Sequence, residues 1–339
     1  MAGPSGIAIS ESNALVTSNP FERNRHMFSQ TPSRNLECSQ SRRQFLATAL
    51  AGAGVVVAQS SLLAGAEKRK TSGKARATDI VAFGPTGIKA TRIAHGTGWN
   101  GGARSSAHTR LGEKAFTELL RHSIDQGVEF IDTADLYGAH PYVGTALKGV
   151  ARDKYILSSK IWPRKEYWNS PSGGAKEEVD RFRKELNTDV LDVCLIHCMQ
   201  NADWPKEFER IRDELSELKQ KGVVRAVGVS CHDVGALKVA AAHPWVDVFI
   251  ARINNVGKDA EMDGSPEEVA PILKQARANG KIVVGMKLFG AGKLAKPDRM
   301  DASLRYVFQN QLVDAVTIGM MKPKEVDDTI RRIDRAINA

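Results

Sequence analysis

Residues 113–138 read EKAFTELLRHSIDQGVEFIDTADLYG, and this stretch decides the fold. Its first half places Phe116, Leu119, Leu120 and Ile124 on one face of a helix, and Gly127 stops that helix. The run over 128–133 carries Val128, Phe130 and Ile131 and reads as a strand covered on both faces. It then gives way to polar residues at its trailing end. Helix, glycine stop and buried strand together make one period of an α/β repeat.

The same period recurs along the chain. A short hairpin within VAFGPTGIKATRIAHGTG precedes a first strand near 92–96. Strand-like runs follow at 155–160, 190–197, 225–230, 246–252, 281–287 and 314–319. Between them, residues 206–222 carry Phe208, Ile211, Leu215 and Leu218 at helical spacing and end at Gly222. Residues 265–280 open with Ser265 as N-cap, Pro266 in the first turn and acids behind it. A last helix over about 323–337 buries Val326, Ile330 and Ile333. Strand–helix alternation predicts a parallel sheet with right-handed crossovers. Eight such units over residues 79–339 predict a closed (β/α)8 TIM barrel with a short N-terminal β-hairpin. An open doubly wound sheet is disfavoured, because no GxGxxG joins a strand to a helix.

The composition agrees with a soluble globular chain, 42% hydrophobic and 26% charged over 339 residues. The net charge of +9 is dispersed except at Lys68, Arg69, Lys70, Lys74 and Arg76. No interleaved aromatics accompany that cluster, so it reads as a basic linker over 67–78 and not as a nucleic-acid surface. The four cysteines, Cys38, Cys194, Cys198 and Cys231, form no CxxC and no disulfide framework. Cys194 and Cys198 flank His197 but offer too few ligands for a metal. Four residues apart on a strand, they are expected to share a face as core thiols.

Ahead of the barrel, residues 1–40 are rich in Ser, Asn and Pro and read as disordered. Residues 41–66 place Arg42 and Arg43 before an apolar run from Phe45 to Ala58 and an A-x-A site at Ala64–Ala66. This resembles a bacterial twin-arginine signal peptide, which implies the twin-arginine export machinery as a partner and a periplasmic or otherwise exported mature protein. The run is shorter than the ~20 residues of a membrane span, so no stable span is expected after cleavage. Either Met1 or Met27 can serve as the start.

Four polar residues stand at the trailing ends of successive strands. Asp132 and Tyr137 follow the second, in FIDTADLYG; Lys160 ends the third, in YILSSKIW; His197 ends the fourth, in LDVCLIHC. Neighbouring strands lie about 5 Å apart, so the four can converge. A free phenol titrates near ~10 and parts with its proton reluctantly. A lysine ammonium beside it is expected to lower that value, with Asp132 holding Lys160 charged and oriented. His197 can position a carbonyl oxygen by hydrogen bonding. Singly, each residue reads as a cap, a surface charge or a core histidine; together they read as a proton-donating site.

FIDTADLYG, SSKIW, LIH and GVS resemble the aldo-keto reductase superfamily over residues 79–337. The resemblance implies NAD(P)-dependent reduction of a small-molecule carbonyl (an aldehyde, ketone or sugar), with Tyr137 as general acid supported by Asp132, Lys160 and His197. It implies cofactor contacts at Gly96, Thr97 and Gly98 of the turn after strand one, and at Ser230 with the nicotinamide carboxamide. Where the family has asparagine and glutamine for that carboxamide, this chain has Cys231 and Ile250, with Asn254 retained further on. Met286 stands in place of a stacking aromatic, and Lys287 reaches the pyrophosphate or is a rim charge. Lys322 and Lys324 suit a 2′-phosphate, whereas Glu325 replaces an arginine and suits a ribose hydroxyl. NADP is therefore expected, with NAD not excluded. Trp99, Trp162 and Trp168 lie near strand ends as pocket or packing residues. The departures at the cofactor end leave a second reading, a cofactor-binding sensor or partner subunit with little turnover.

Overall fold

The computed structural model describes residues 73–164 and 174–339. The leader over 41–66, Cys38 and Trp168 lie outside the described residues. Strands β1 (Ile80–Ala82) and β2 (Lys89–Thr91) pair antiparallel as the expected hairpin. Eight strands follow: β3 (Ile93–Gly96), β4 (Phe130–Asp132), β5 (Ile156–Ile161), β6 (Leu191–Met199), β7 (Val224–Cys231), β8 (Val248–Arg252), β9 (Ile282–Met286) and β10 (Ala315–Ile318). They close in sequence order into a parallel barrel, with β10 pairing β3. The helices of the successive units are α1 (Glu113–Asp125), α2 (His140–Leu147), α3 (Ala175–Leu186), α4 (Trp204–Glu207) with α5 (Glu209–Gln220), α6 (Val234–Ala242), α7 (Pro266–Ala278), α8 (Pro297–Gln309) and α9 (Pro323–Ile337). The helix expected over 206–222 is thus two, broken at Phe208, whose φ of −113° and ψ of 30° leave the helical well. Among the described residues, no helix is long and apolar enough to cross a membrane.

The continuous apolar runs sort themselves by alternation. Every second residue packs inward: Ala94, Phe130, Leu195, Ala226, Ile250 and Val284 belong to one buried cluster. Their neighbours Ile93, Ile131, Ile196, Val227, Phe249 and Val283 face the helices in another. The hairpin closes the inner cluster from below, since Phe83, Ile88 and Ala90 pack in it and Phe83 meets Phe130 edge-on at 5.6 Å. The barrel is therefore filled, and only its C-terminal rim is left for polar groups.

At the opposite, N-terminal rim, three aspartates repeat one device. Asp192, Asp247 and Asp314 stand at the starts of β6, β8 and β10. Each accepts the backbone N–H of a residue in the preceding strand, Leu157, Val227 and Val283 respectively, at 2.9 Å. Each also pairs with a cation: Arg152 at 2.6 Å, Lys219 at 2.5 Å and Arg277 at 2.8 Å. Asp192 takes a second, Arg225, at 2.7 Å. The Asp192 side chain is 1% exposed and that of Asp314 16%. Removing Asp192 leaves a buried N–H and two arginines without their acceptor. Asp192→Ala should cost about 3 kcal/mol or more, and Asp314→Ala distinctly less. Urea unfolding of both variants measures the order, and an equal or reversed cost contradicts this account.

Candidate active site

The segment FIDTADLYG becomes β4, a short extended link and a single 3-10 turn over Asp135–Tyr137. Gly138 ends the turn at φ 63°, and a Cβ there would stand 2.0 Å from the Arg104 carbonyl oxygen, so this position requires glycine. Asp132 and Lys160 both face the barrel axis at the C-terminal rim. The Lys160 side chain is 2% exposed and donates to Asp132 Oδ1 at 2.6 Å and to the Thr133 carbonyl at 2.8 Å. Thr317 of β10 donates to the other carboxylate oxygen at 3.1 Å. It reaches across β3 because Gly96 lies between; a Cβ there would sit 2.8 Å from Thr317 Oγ1. Thr97 donates to the Asp132 carbonyl through both its backbone N–H (3.0 Å) and its hydroxyl (3.1 Å). Gly98 lies against the Tyr137 ring, where a Cβ would approach Cε2 to 2.3 Å.

His197 reaches the same place through an irregular strand. Between Ile196 and Met199 the register of β6 against β7 shifts, and Cys198 takes φ 67°. Ser230 Oγ accepts the Cys198 N–H at 2.8 Å and holds the bulge. His197 Nε2 then lies 3.4 Å from Tyr137 Oη, with the ring edge-on to Tyr137, Trp162 and His232. The bulge also overturns the expected pairing of the two cysteines. Cys194 packs among the helix-facing residues, while Cys198 lies with Leu136 and Trp162 on the pocket side.

The electrostatics differ from expectation at Tyr137. Its pKa is raised, first by burial and then by the charge of Asp132. Lys160 Nζ is 5.3 Å from the ring centroid, but its charge is matched by Asp132, so the phenol faces an almost neutral pair. The expectation of a lysine-acidified phenol is corrected: the resting site holds the proton firmly on Oη. His197 is held well below its usual pKa by burial and then by Lys160, so the imidazole is neutral. Its Nδ1 is buried and has no hydrogen-bond partner among the described residues.

Behind Tyr137 lies an ion network that the sequence did not reveal. Asp135 is buried and forms ion pairs with Arg104 and Arg181, each at 2.9 Å. Arg181 also pairs with Glu178 and, at 3.0 Å, with Glu185. His140 bridges Glu185 (3.0 Å) to Ser159 (2.8 Å), the residue before Lys160. A carboxylate only accepts, so His140 carries its proton on Nδ1 and receives the Ser159 hydroxyl at Nε2.

The residues expected at the cofactor divide. Gly96, Thr97 and Gly98 serve Asp132 and Tyr137 as described. Ser230 sits at the rim beside Ile250 in register. Cys231 does not: it alternates outward into the helix-facing core, and burial raises its thiol well above the usual value. Asn254 is spent internally, donating to the Ala260 (2.8 Å) and Lys287 (3.2 Å) carbonyls and accepting from Val256 and Gly257. Both side chains are thus engaged within the fold. Met286 packs against the inner cluster at the rim. Lys322 precedes α9 and is exposed, and Glu325 accepts the Met321 N–H at 2.8 Å as a helix cap. Trp99 is 42% exposed, while Trp162 is buried beside His197. Thr317 was missed, although a polar residue at an inward position of β10 is a legible signal. Arg164, which donates to the Cys198 carbonyl at 2.9 Å, carried none.

A family model described as "Aldo/keto reductase family" matches residues 92–303. The chain belongs to that family. Among curated relatives, it is 32% identical over 163 residues to the aldo-keto reductase YhdN of Bacillus subtilis, covering 45% of this chain and 46% of the relative. It is 35% identical over 120 residues to the methylglyoxal reductase YeaE of Escherichia coli, covering 34% and 39%. The matches thus span less than half the length of these two relatives. Among solved family structures, aldo-keto reductase AKR11C1 from Bacillus halodurans in its holo form superposes with TM-score 0.60 at 21% identity, over 77% of this chain and 91% of that one. One from Klebsiella pneumoniae in complex with NADPH superposes with TM-score 0.56 at 19% identity, over 79% and 90%. At these identities the two structures bear on the fold alone.

The network behind Tyr137 has a measurable pH signature. Burial alone would raise Glu185, but the hydrogen bonds from His140 and Arg181 outweigh it and bring the carboxyl to about 2. The folded value lies below the unfolded one, so this stabilisation is present above about 4.5 and is lost as pH falls toward 2. Glu185→Gln should be less stable than the parent near neutral pH, with the gap closing in acid. Urea melts across that range test it; a pH-independent gap contradicts the ionic origin.

Proposed function

We propose that this chain reduces small aldehydes or ketones with a nicotinamide cofactor, Tyr137 donating the proton. The observation that carries the reading is the 3.4 Å approach of Tyr137 Oη to a neutral His197 beside the buried Lys160–Asp132 pair. Relatives named methylglyoxal reductase and glyoxal reductase support the substrate class. A structural relative in complex with NADPH supports NADP, with NAD not excluded. The residues at the rim fit such a group: the Ser230 hydroxyl, the Lys287 ammonium, unpaired among the described residues, and Lys322 and Lys324 at the start of α9.

A bound nicotinamide supplies the hydride. The chain's own residues handle the oxygen. His197, neutral and fixed between Trp162 and Tyr137, can donate from Nε2 to a carbonyl oxygen and set its position. Negative charge then grows on that oxygen, and Tyr137 Oη delivers its proton there. The phenolate that remains lies near Lys160, whose ammonium moves from serving Asp132 alone to stabilising two anions. The raised resting pKa of Tyr137 thus keeps the proton in place until charge develops.

Tyr137→Phe should lower kcat by roughly 100- to 10,000-fold while cofactor binding persists. NADPH absorbance with methylglyoxal and other aldehydes, alongside NADPH titration, measures both. Undiminished turnover by the variant sinks the reading; binding without turnover by the parent favours the sensor. We also propose export by the twin-arginine route with cleavage after Ala66. N-terminal sequencing of secreted material tests it, and a cytoplasmic, uncleaved product overturns it.

A further inference from the structure

The phenol of Tyr137 touches His197 at its hydroxyl and a loop over residues 98–105 along its ring. An added Cβ would stand 2.3 Å from ring atoms Cε2 and Cζ at Gly98, and 2.7 Å from Cδ1 at Gly101, so loop backbone lies on the ring itself. The loop is held against its local preference. Asn100, Ala103 and Arg104 take φ of 48°, 49° and 57°, the left-handed region that residues with a side chain seldom adopt. Among the described residues, the backbone hydrogen bonds of 98–105 stay within 98–107. They fold the loop on itself and do not tie it to the barrel.

The side chain of Arg104 makes that tie. It pairs with Asp135 at 2.9 Å and donates to Glu185 at 3.2 Å. Asp135 opens the 3-10 turn that ends in Tyr137, and Glu185 belongs to α3. The backbone of Arg104 packs at the same turn, because its carbonyl meets Gly138. One residue therefore joins the loop, the turn and a helix of the outer layer. Asp135 is 1% exposed but has a second cation, Arg181, at 2.9 Å. The Arg104 side chain is 43% exposed. Its loss leaves no buried charge without a partner and costs the fold little. What it removes is the link between loop and turn.

We propose that Arg104 is a positioning residue for Tyr137. Its pairs with Asp135 and Glu185 hold the strained loop on the phenol ring and fix where Oη stands relative to His197. A reacting group misplaced by about 1 Å costs up to roughly a hundredfold in rate, so a loosened loop should be visible in turnover. The effect on turnover rests on the reductase reading; the effect on the placement of the ring does not.

Arg104→Gln removes the charge and Arg104→Lys keeps it, with thermal melting as a check on both; Arg104→Met serves if the glutamine variant melts early. Two quantities are read. One is kcat for methylglyoxal per NADPH-binding site, with its solvent deuterium isotope effect. The other is the fluorine NMR resonance of Tyr137 in protein labelled with 3-fluorotyrosine, assigned by its loss in Tyr137→Phe. Arg104→Gln should move or broaden that resonance, lower kcat per site roughly tenfold and raise the isotope effect, while melting close to the parent. Arg104→Lys should recover most of each. If the parent turns over and Arg104→Gln matches it in kcat per site, or if the Tyr137 resonance stays where it was, the positioning role is overturned. If the parent reduces no aldehyde while the resonance moves with glutamine and returns with lysine, the positioning role stands and the reductase reading falls.

Discussion

A lysine ammonium buried at the top of a filled barrel needs a counter-charge, and the pair between Lys160 and Asp132 supplies it. Much of the site is arranged around that need. Thr133 offers its carbonyl to the ammonium, and Thr317 satisfies the second carboxylate oxygen. Gly96 has no side chain, so Thr317 can cross β3. Thr97 fixes the backbone of Asp132 from the same strand end. Burial, and then the charge of Asp132, keeps the proton on Tyr137 despite a cation 5.3 Å from its ring.

The two rims of the barrel use carboxylates for opposite ends. On the N-terminal rim, Asp192, Asp247 and Asp314 tie alternate strands to their neighbours and to cations, with their hydrogen-bonding capacity turned to the fold. On the C-terminal rim, Asp132 holds Lys160, and Asp135 holds Arg104 and Arg181 behind Tyr137. The bulge at Cys198 serves that same chemical end. It breaks the regular ladder so that His197 meets Tyr137, and Ser230 supports the break. Burial first, and then the charge of Lys160 on His197 and of Arg252 and Lys287 on His232, keeps both imidazoles neutral.

Several residues change meaning between the chain and the fold. Gly96, Thr97 and Gly98 look like a cofactor turn in the sequence, yet here they shape Asp132 and Tyr137. Cys231 and Asn254 look like contacts at a strand end; one turns into the helix-facing core and the other uses its amide on its own loop. His140, Glu185 and Arg181 look like ordinary helix residues and become a network behind Tyr137. Such outcomes depend on side-chain direction and on partners tens of residues away, which spacing along a chain does not encode.

What the sequence determined by itself was the eight-unit barrel, its short N-terminal hairpin and the four residues at successive strand ends. Those follow from local rules: apolar runs of strand length, helical spacing, glycine stops and the fixed side on which parallel strands end. The tertiary structure alone decided the charge state of Tyr137, the identity of the groups that hold Asp132, and the ion network behind Tyr137. Each of these depends on burial and on distances between strands that are remote in the chain, because the cost of burying a charge is set by what surrounds it.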